Sequence, residues 1–246
     1  MVALTYLRRD VFHIPPLVEF TDLASTITGA ALIIGFMYAG VMADYKESER
    51  LPGELASAID AYGAYIDTLD ITLPEQHGAP ALRGALLDLV TVIRDWLMKS
   101  GPVAPCFAAI QTMNNTMANS AYGKGFPNHL VGGALSNTAT VRRLVERINT
   151  IRVTRFTPAG YNLMWAIVVL VLFELVFASF KSEASQFAVV AAISLIFVYL
   201  VRLIADLDNP FYYANGRYSP ESSEIDPGPI LELHHALEER QLRSAG

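Results

Sequence analysis

Leu23-Ala24-Ser25-Thr26-Ile27-Thr28-Gly29-Ala30-Ala31-Leu32-Ile33-Ile34-Gly35-Phe36-Met37-Tyr38-Ala39-Gly40-Val41-Met42-Ala43 runs without a single charged side chain. A helix over this stretch rises about 30 Å, the thickness of a bilayer's hydrocarbon core. It leads without a helix breaker into Asp44-Tyr45-Lys46-Glu47-Ser48-Glu49-Arg50, which is dense in charge and helix-forming. A spanning helix that continues as a charged helix reads as a pore-lining or bundle-core element. Gly29, Gly35 and Gly40 within it favour close helix packing. The rest of the chain is placed relative to this stretch.

Composition agrees. Of 246 residues, 52% are hydrophobic and only 17% charged; an ordinary soluble domain carries about 25% charged residues, so a membrane class is indicated. A net charge of −6 offers no basic field, and no nucleic-acid partner is expected. The single cysteine, Cys106, excludes an intramolecular disulfide framework and reads as a small buried hydrophobe. Residues 1–22 contain Arg8, Arg9, Asp10, Glu19 and Pro15-Pro16 and no continuous apolar run. The first span is therefore expected to act as its own insertion signal, with an extended or surface-lying segment before it.

Beyond the first span, Leu51, Leu55, Ile59, Tyr62, Ile66 and Leu69 recur at spacings of three and four. This is an amphipathic helix, with Pro52 tolerated at its start or at a kink. A loop is expected over 71–80. A second helix follows, with Leu82, Leu86, Leu89, Ile93 and Leu97 on one face, stopped by Ser100-Gly101-Pro102. Residues 103–120 are helix-compatible. Gly123, Gly125, Pro127, Gly132 and Gly133 predict a loose connection. A third helix is predicted from Thr138 to Val153, with Val141, Leu144, Val145, Ile148 and Ile151 inward and Arg142, Arg143, Glu146 and Arg147 outward.

Tyr161 to Phe180 is a second span, interrupted only by Glu174; Lys181 to Gln186 is a polar turn; Phe187 to Ala205 is a third span, with Arg202 near its end. The tail from Asp206 is acidic, with an amphipathic helix around Ile230 to Leu242. The expected organisation is an N-terminal extramembrane segment (1–22), a transmembrane helix (23–43), a cytoplasmic helical domain (44–160), a transmembrane hairpin (161–205) and a cytoplasmic tail (206–246). Of the eighteen Lys and Arg residues, eleven fall between Asp44 and Pro158, and the hairpin turn holds only Lys181. The positive-inside bias then puts the middle region and C-terminus in the cytoplasm and the N-terminus outside, in an inner or plasma membrane. The fold class is an all-α integral membrane protein with three transmembrane helices and a cytoplasmic helical domain.

Three runs carry a resemblance. Gly35-Phe36 is followed by Tyr45-Lys46-Glu47-Ser48-Glu49-Arg50-Leu51-Pro52-Gly53-Glu54-Leu55; Pro158-Ala159-Gly160-Tyr161 opens the second span; and Val201-Arg202-Leu203-Ile204-Ala205-Asp206-Leu207 runs into Asp208-Asn209-Pro210-Phe211. In that order they resemble the bestrophins, over about 23–70 and 140–235. The resemblance implies a pentameric, anion-preferring channel. Its first matched helix lines the pore through a narrow apolar neck, which falls here on Thr28, Leu32 and Phe36 at i, i+4 and i+8. Such a neck passes ions by partial dehydration and controls flow by wetting.

The departures are as telling. Bestrophins have a transmembrane helix ahead of the pore helix, for which residues 1–22 are too short. Leu23, Ile27, Ile34 and Met37 are then expected on an uncovered face, meeting lipid in a channel or a foreign chain in an accessory subunit. Asp44, Tyr45 and Lys46 stand where the family has Arg and Trp, and Tyr212-Tyr213-Ala214-Asn215-Gly216 follows Asn209-Pro210-Phe211 where calcium-activated members have acids. Glu221, Glu224 and Asp226 are too scattered to replace that clasp. Mid-span Glu174 should face protein or water, since a charge there costs roughly 2.5–3.5 kcal/mol; Arg202 should snorkel to the interface.

Catalytic and metal patterns are thin. Glu232-Leu233-His234-His235 holds one Glu-x-x-His without the second that a carboxylate-bridged metal site needs. Gly123-Lys124-Gly125 lacks the length of a phosphate loop, and His13, His77 and His129 have no partners at ligand spacing. No enzyme activity, cofactor or metal is expected. The expected partners are the bilayer, inorganic ions and either copies of the chain itself or another membrane protein. The leading reading is an oligomeric ion channel, a chloride channel by resemblance; the alternative is a non-conducting structural subunit of a larger membrane complex.

Overall fold

The computed structural model describes residues 2–72, 79–99, 101–121, 126–154, 157–180 and 182–245. Helices dominate: α1 (Val2–Tyr6), α2 (Phe20–Ser48), α3 (Leu51–Thr72), α4 (Ala79–Lys99), α5 (Ala104–Ala121), α6 (Asn128–Val153), α7 (Pro158–Phe177), α8 (Glu183–Leu207) and α9 (Gly228–Ala245). Extended structure among the described residues is one two-residue parallel pair, β1 (Val18–Glu19) and β2 (Ala178–Ser179), with Val18 opposite Ala178. The chain divides into two units, residues 1–45 with 154–208 and residues 46–153 with 209–246.

The first unit holds the apolar spans. Three helices among the described residues are long and apolar enough to cross a membrane. Pro158 occupies the first turn of α7, where its missing N–H costs nothing. Ser182 caps α8, its Oγ accepting from the Ser185 N–H at 3.3 Å. That cap starts the helix four residues before the predicted Phe187, so Ser185 and Gln186 belong to α8 and not to the polar turn. The core is built from Leu23, Ala30, Ile34 and Val41 of α2, Met164, Val168, Val171 and Leu175 of α7, and Val190, Phe197, Val201 and Ile204 of α8. Ile27 and Met37 pack against it half-buried.

The second unit is a helical bundle in which α3 packs on α4, α6 and α9, and α4 on α5 and α9. All six periodic residues of α3, and Leu82, Leu86, Leu89, Ile93 and Leu97 of α4, are buried. Each contributes about 1.5–3 kcal/mol by leaving water. Pro52 sits in the first turn of α3, and α4 ends at Lys99, before Gly101-Pro102. Arg83 clamps α4 to α3 through Asp67 at 3.0 Å and Asp70 at 2.8 Å. The thiol of Cys106 is buried on α5, and burial pushes its pKa up to about 12, so it is held as an inert hydrophobe.

A predicted helix start fails in this unit. Helix α6 begins at Asn128, ten residues before Thr138, and takes in Gly132 and Gly133. The reason is packing: a Cβ on Gly133 would lie 2.7 Å from the Tyr65 ring. Glycine there admits the aromatic ring of α3 and is a contact residue, not a breaker. Gly123 and Gly125 lie outside the described residues, as does most of the loop expected at 71–80.

Candidate pore helix

Helix α2 has two unlike faces. Leu23 and Ile34 are 0% exposed, whereas Leu32 is 59% and Phe36 69% exposed. Thr28, also exposed, continues that outer stripe one turn earlier. At 1.5 Å per residue, Thr28, Leu32 and Phe36 are about 6 Å apart along the axis and share one side. The Thr28 hydroxyl donates to the Ala24 carbonyl at 2.8 Å, so its polar hydrogen is spent on its own helix. The stripe is therefore more apolar than its residue names suggest.

The face expected to be uncovered is the covered one. Leu23 and Ile34 are buried in the core shared with α7 and α8, and Ile27 and Met37 pack against it half-buried, so this is the face that α2 turns to its own chain. An all-apolar helix gives no sign in its sequence of which side its neighbours occupy.

Below the stripe the charges pair. The Arg147 Nε donates to Glu47 Oε1 at 2.7 Å and its Nη2 to Glu47 Oε2, a two-pronged guanidinium–carboxylate contact across 100 residues of sequence. Arg147, expected to point outward with Arg142, Arg143 and Glu146, is thus half-buried and engaged, while those three are exposed. Lys46 pairs with Glu49 at 3.0 Å in the open. Nothing in the spacing of Glu47 and Arg147 announced their meeting.

Glu174 is half-buried on α7, with Oε2 shielded and without a hydrogen-bond partner among the described residues. Gln186 Nε2, twelve positions on and in α8, is shielded and unpartnered in the same way. Arg202 is exposed five residues before the end of α8. Asn209-Pro210-Phe211 forms a structural latch: Phe211 is fully buried, the Pro210 carbonyl accepts from the Ile225 N–H at 2.8 Å, and Tyr213 donates to the Ile225 carbonyl at 2.8 Å. The nearby acids work locally. Glu224 accepts from the Ser219 N–H at 2.8 Å, and Asp226 from the Gly228 N–H, also at 2.8 Å, at the start of α9.

On α9 the ligand atoms of His234, His235 and Glu238 lie within 4.8 Å of one another. His234, however, is already met by a cation: Arg94 Nη1 stands 3.0 Å from its Nε2 and 3.3 Å from its Nδ1. A guanidinium only donates, so it competes for the lone pair a metal ion would need, and its charge repels that ion. Burial, then the Arg94 charge, hold the imidazole below its ordinary pKa. The cluster reads as a neutral histidine seated between α4 and α9, with Thr91 Oγ1 also 3.0 Å from its Nε2.

The sequence matches no protein-family model and no curated protein. Solved structures do match. The zinc-phased crystal structure of a bacterial bestrophin homologue from Klebsiella pneumoniae superposes with a TM-score of 0.74 at 15% identity, covering 98% of this chain and 94% of that one. A point variant of that homologue gives 0.75 at 15% identity, covering 100% and 96%. A point variant described as a membrane protein gives 0.77 at 14% identity, covering 98% and 95%. The fold is that of the bestrophins. With three helices able to cross a bilayer, the chain is an integral membrane protein of bestrophin-like, all-helical architecture. At this level of identity the likeness speaks for the fold, and the chemistry must come from the residues themselves.

Proposed function

We propose that several copies of this chain, five by analogy with bestrophins, assemble around α2 into an ion channel whose neck is formed by Thr28, Leu32 and Phe36. The observation that carries this reading is the exposed stripe on α2, directed away from the face that packs on α7 and α8. Rings of Leu32 and Phe36 from several copies would leave a narrow dry constriction, a gate that conducts when wetted. Anions are the preferred ions through the bestrophin likeness. The α2–α6 end around Glu47 and Arg147 is assigned to the cytoplasm and the connection between α7 and α8 to the opposite side, following the distribution of Lys and Arg. Asn209, Pro210 and Phe211 are assigned a holding role, and the Glu224 and Asp226 contacts favour gating by something other than a calcium clasp.

The test has two parts. The native mass of the gently extracted complex should be a whole multiple of 26.9 kDa near five copies. Reconstituted in a planar bilayer, the wild type should conduct, and Phe36→Ala should raise conductance or weaken ion discrimination while leaving the assembly intact. Unchanged currents in Phe36→Ala would remove the neck assignment. A single copy travelling with larger partners would make the chain a structural subunit instead.

A further inference from the structure

The N-terminal segment does not trail away from the spans. Helix α1 packs on α7 and α8, and Leu7–Val11 adds a turn of wider π-helix. The left-handed backbone of His13, at φ 54°, then turns the chain. The Leu17 N–H donates to the Phe177 carbonyl at 2.9 Å, and β1 pairs with β2 just beyond. Fixed in this way at the end of α7, the segment borders an open groove of about 460 Å³. Leu4, Leu7 and Phe12 form one side and Leu172, Phe173 and Val176 the other. The only charged side chain among the lining residues is Arg8, whose guanidinium lies 5.9 Å from the centre of the Phe177 ring.

Several features identify the occupant. The walls are hydrocarbon, so water would find almost no hydrogen-bond partners there. The lining of α7 runs from Val169 to Phe177, a rise of about 12 Å, close to the ~15 Å depth of one leaflet's hydrocarbon. Val169 and Phe173, on the same strip, are 59% and 56% exposed, so the groove is continuous with the outer surface of a spanning helix. Phe177 is the last residue of α7, so the groove ends where that helix ends, with the buried Arg8 side chain beside it.

We propose that this groove holds one acyl chain of a bilayer phospholipid, taken from the leaflet that contains the connection between α7 and α8. The bound chain supplies hydrocarbon contacts between the N-terminal segment and α7. The proposal depends on the membrane-spanning fold and is independent of whether the protein conducts.

The experiment compares the wild type with Leu4→Phe/Leu7→Phe, which fills the groove from its exposed side. After extraction and exhaustive detergent washing, the wild type should retain about one tightly held phospholipid per chain. The filled variant should retain several-fold less at an unchanged melting temperature. Equal retention in the two proteins, or none in the wild type, overturns the proposal. A second reading does not depend on the filled variant's folding: Phe12→Trp, in a Trp96→Phe/Trp165→Phe background, is reconstituted into phosphatidylcholine vesicles. Its emission should be quenched by acyl-chain-brominated lipid and be insensitive to aqueous acrylamide. Quenching by acrylamide would mean that the groove is wet, and quenching by neither that protein fills it; both overturn the proposal.

Discussion

Helices α4 and α7 are nearly equal in length, at 21 and 20 residues, yet they solve different problems. Helix α4 buries eight residues along one face and carries Arg83, Asp88, Arg94, Asp95 and Lys99 elsewhere. Helix α7 buries five, and its outer side presents Leu163, Trp165, Val169, Leu170 and Phe173. In water an apolar outer face costs about 25 cal/mol for each Å² left wet, so α4 must be two-faced. In hydrocarbon that cost vanishes, and α7, Glu174 apart, can be apolar on its outer side as well as on the side that packs on protein. A buried face is written into a sequence only where the other face must be different.

Truncating the cores should have the largest effects and treat the two helices alike. Ile93→Ala in α4 and Leu175→Ala in α7 remove fully buried side chains, and each should cost about 2–5 kcal/mol in unfolding free energy. A clearly smaller loss for Leu175→Ala would show that α7 is loosely packed and not merely lipid-facing. Polar substitution of exposed positions should then separate the helices. Leu170→Asp, half-exposed near mid-span, should lower insertion by about 2.5–3.5 kcal/mol in a glycosylation-mapping assay. Ala81→Asp, exposed on α4, should change stability by less than about 0.5 kcal/mol. If Leu170→Asp inserts like the wild type, that side of α7 meets water and the comparison collapses.

Helix α2 passes from one regime to the other within itself. Over 23–43 its outer stripe is apolar; by Glu47 it uses a carboxylate to hold Arg147. A double-mutant cycle with Glu47→Ala and Arg147→Ala should give a coupling of about 1 kcal/mol, modest because both side chains are partly exposed. Arg147→Lys should lose most of it, since an ammonium cannot make the two-pronged contact.

The same contrast explains what could be read in advance. The faces of α3 and α4, and the inward residues Val141, Leu144, Val145, Ile148 and Ile151 of α6, follow from period and charge alone, and all are buried. The three spans could be located from length and lack of charge, but the side of α2 that packs on α7 and α8 could not; the uncovered face was expected at Leu23, Ile27, Ile34 and Met37, where the core lies. The stripe at Thr28, Leu32 and Phe36 came from a family likeness that no periodicity required, and all three residues are exposed on α2. The early start of α6 was hidden because Gly132-Gly133 signals a loop locally, while the Tyr65 ring that uses Gly133 comes from 68 positions earlier. Long-range pairs such as Glu47 with Arg147, and Arg94 with His234, leave no local trace.

The smallest expected effect concerns that last pair and belongs to the water-facing side of the comparison. His234 is buried between Thr91 and Arg94 of α4, with Asp95, His235 and Glu238 nearby. Burial and the Arg94 charge lower its pKa from the ordinary 6.5, and the Glu238 and Asp95 carboxylates oppose them. Below about pH 6.5 the unfolded chain therefore binds a proton that the folded chain refuses. Stability due to this site should be complete above that pH and fall as the pH drops towards the folded-state value, where acidification becomes neutral again. Urea titrations of the detergent-solubilised protein between pH 7.5 and 5 should show this decline, and His234→Gln, which keeps an acceptor for Arg94 but cannot titrate, should flatten it. A decline of the same size in His234→Gln would place the acid sensitivity elsewhere.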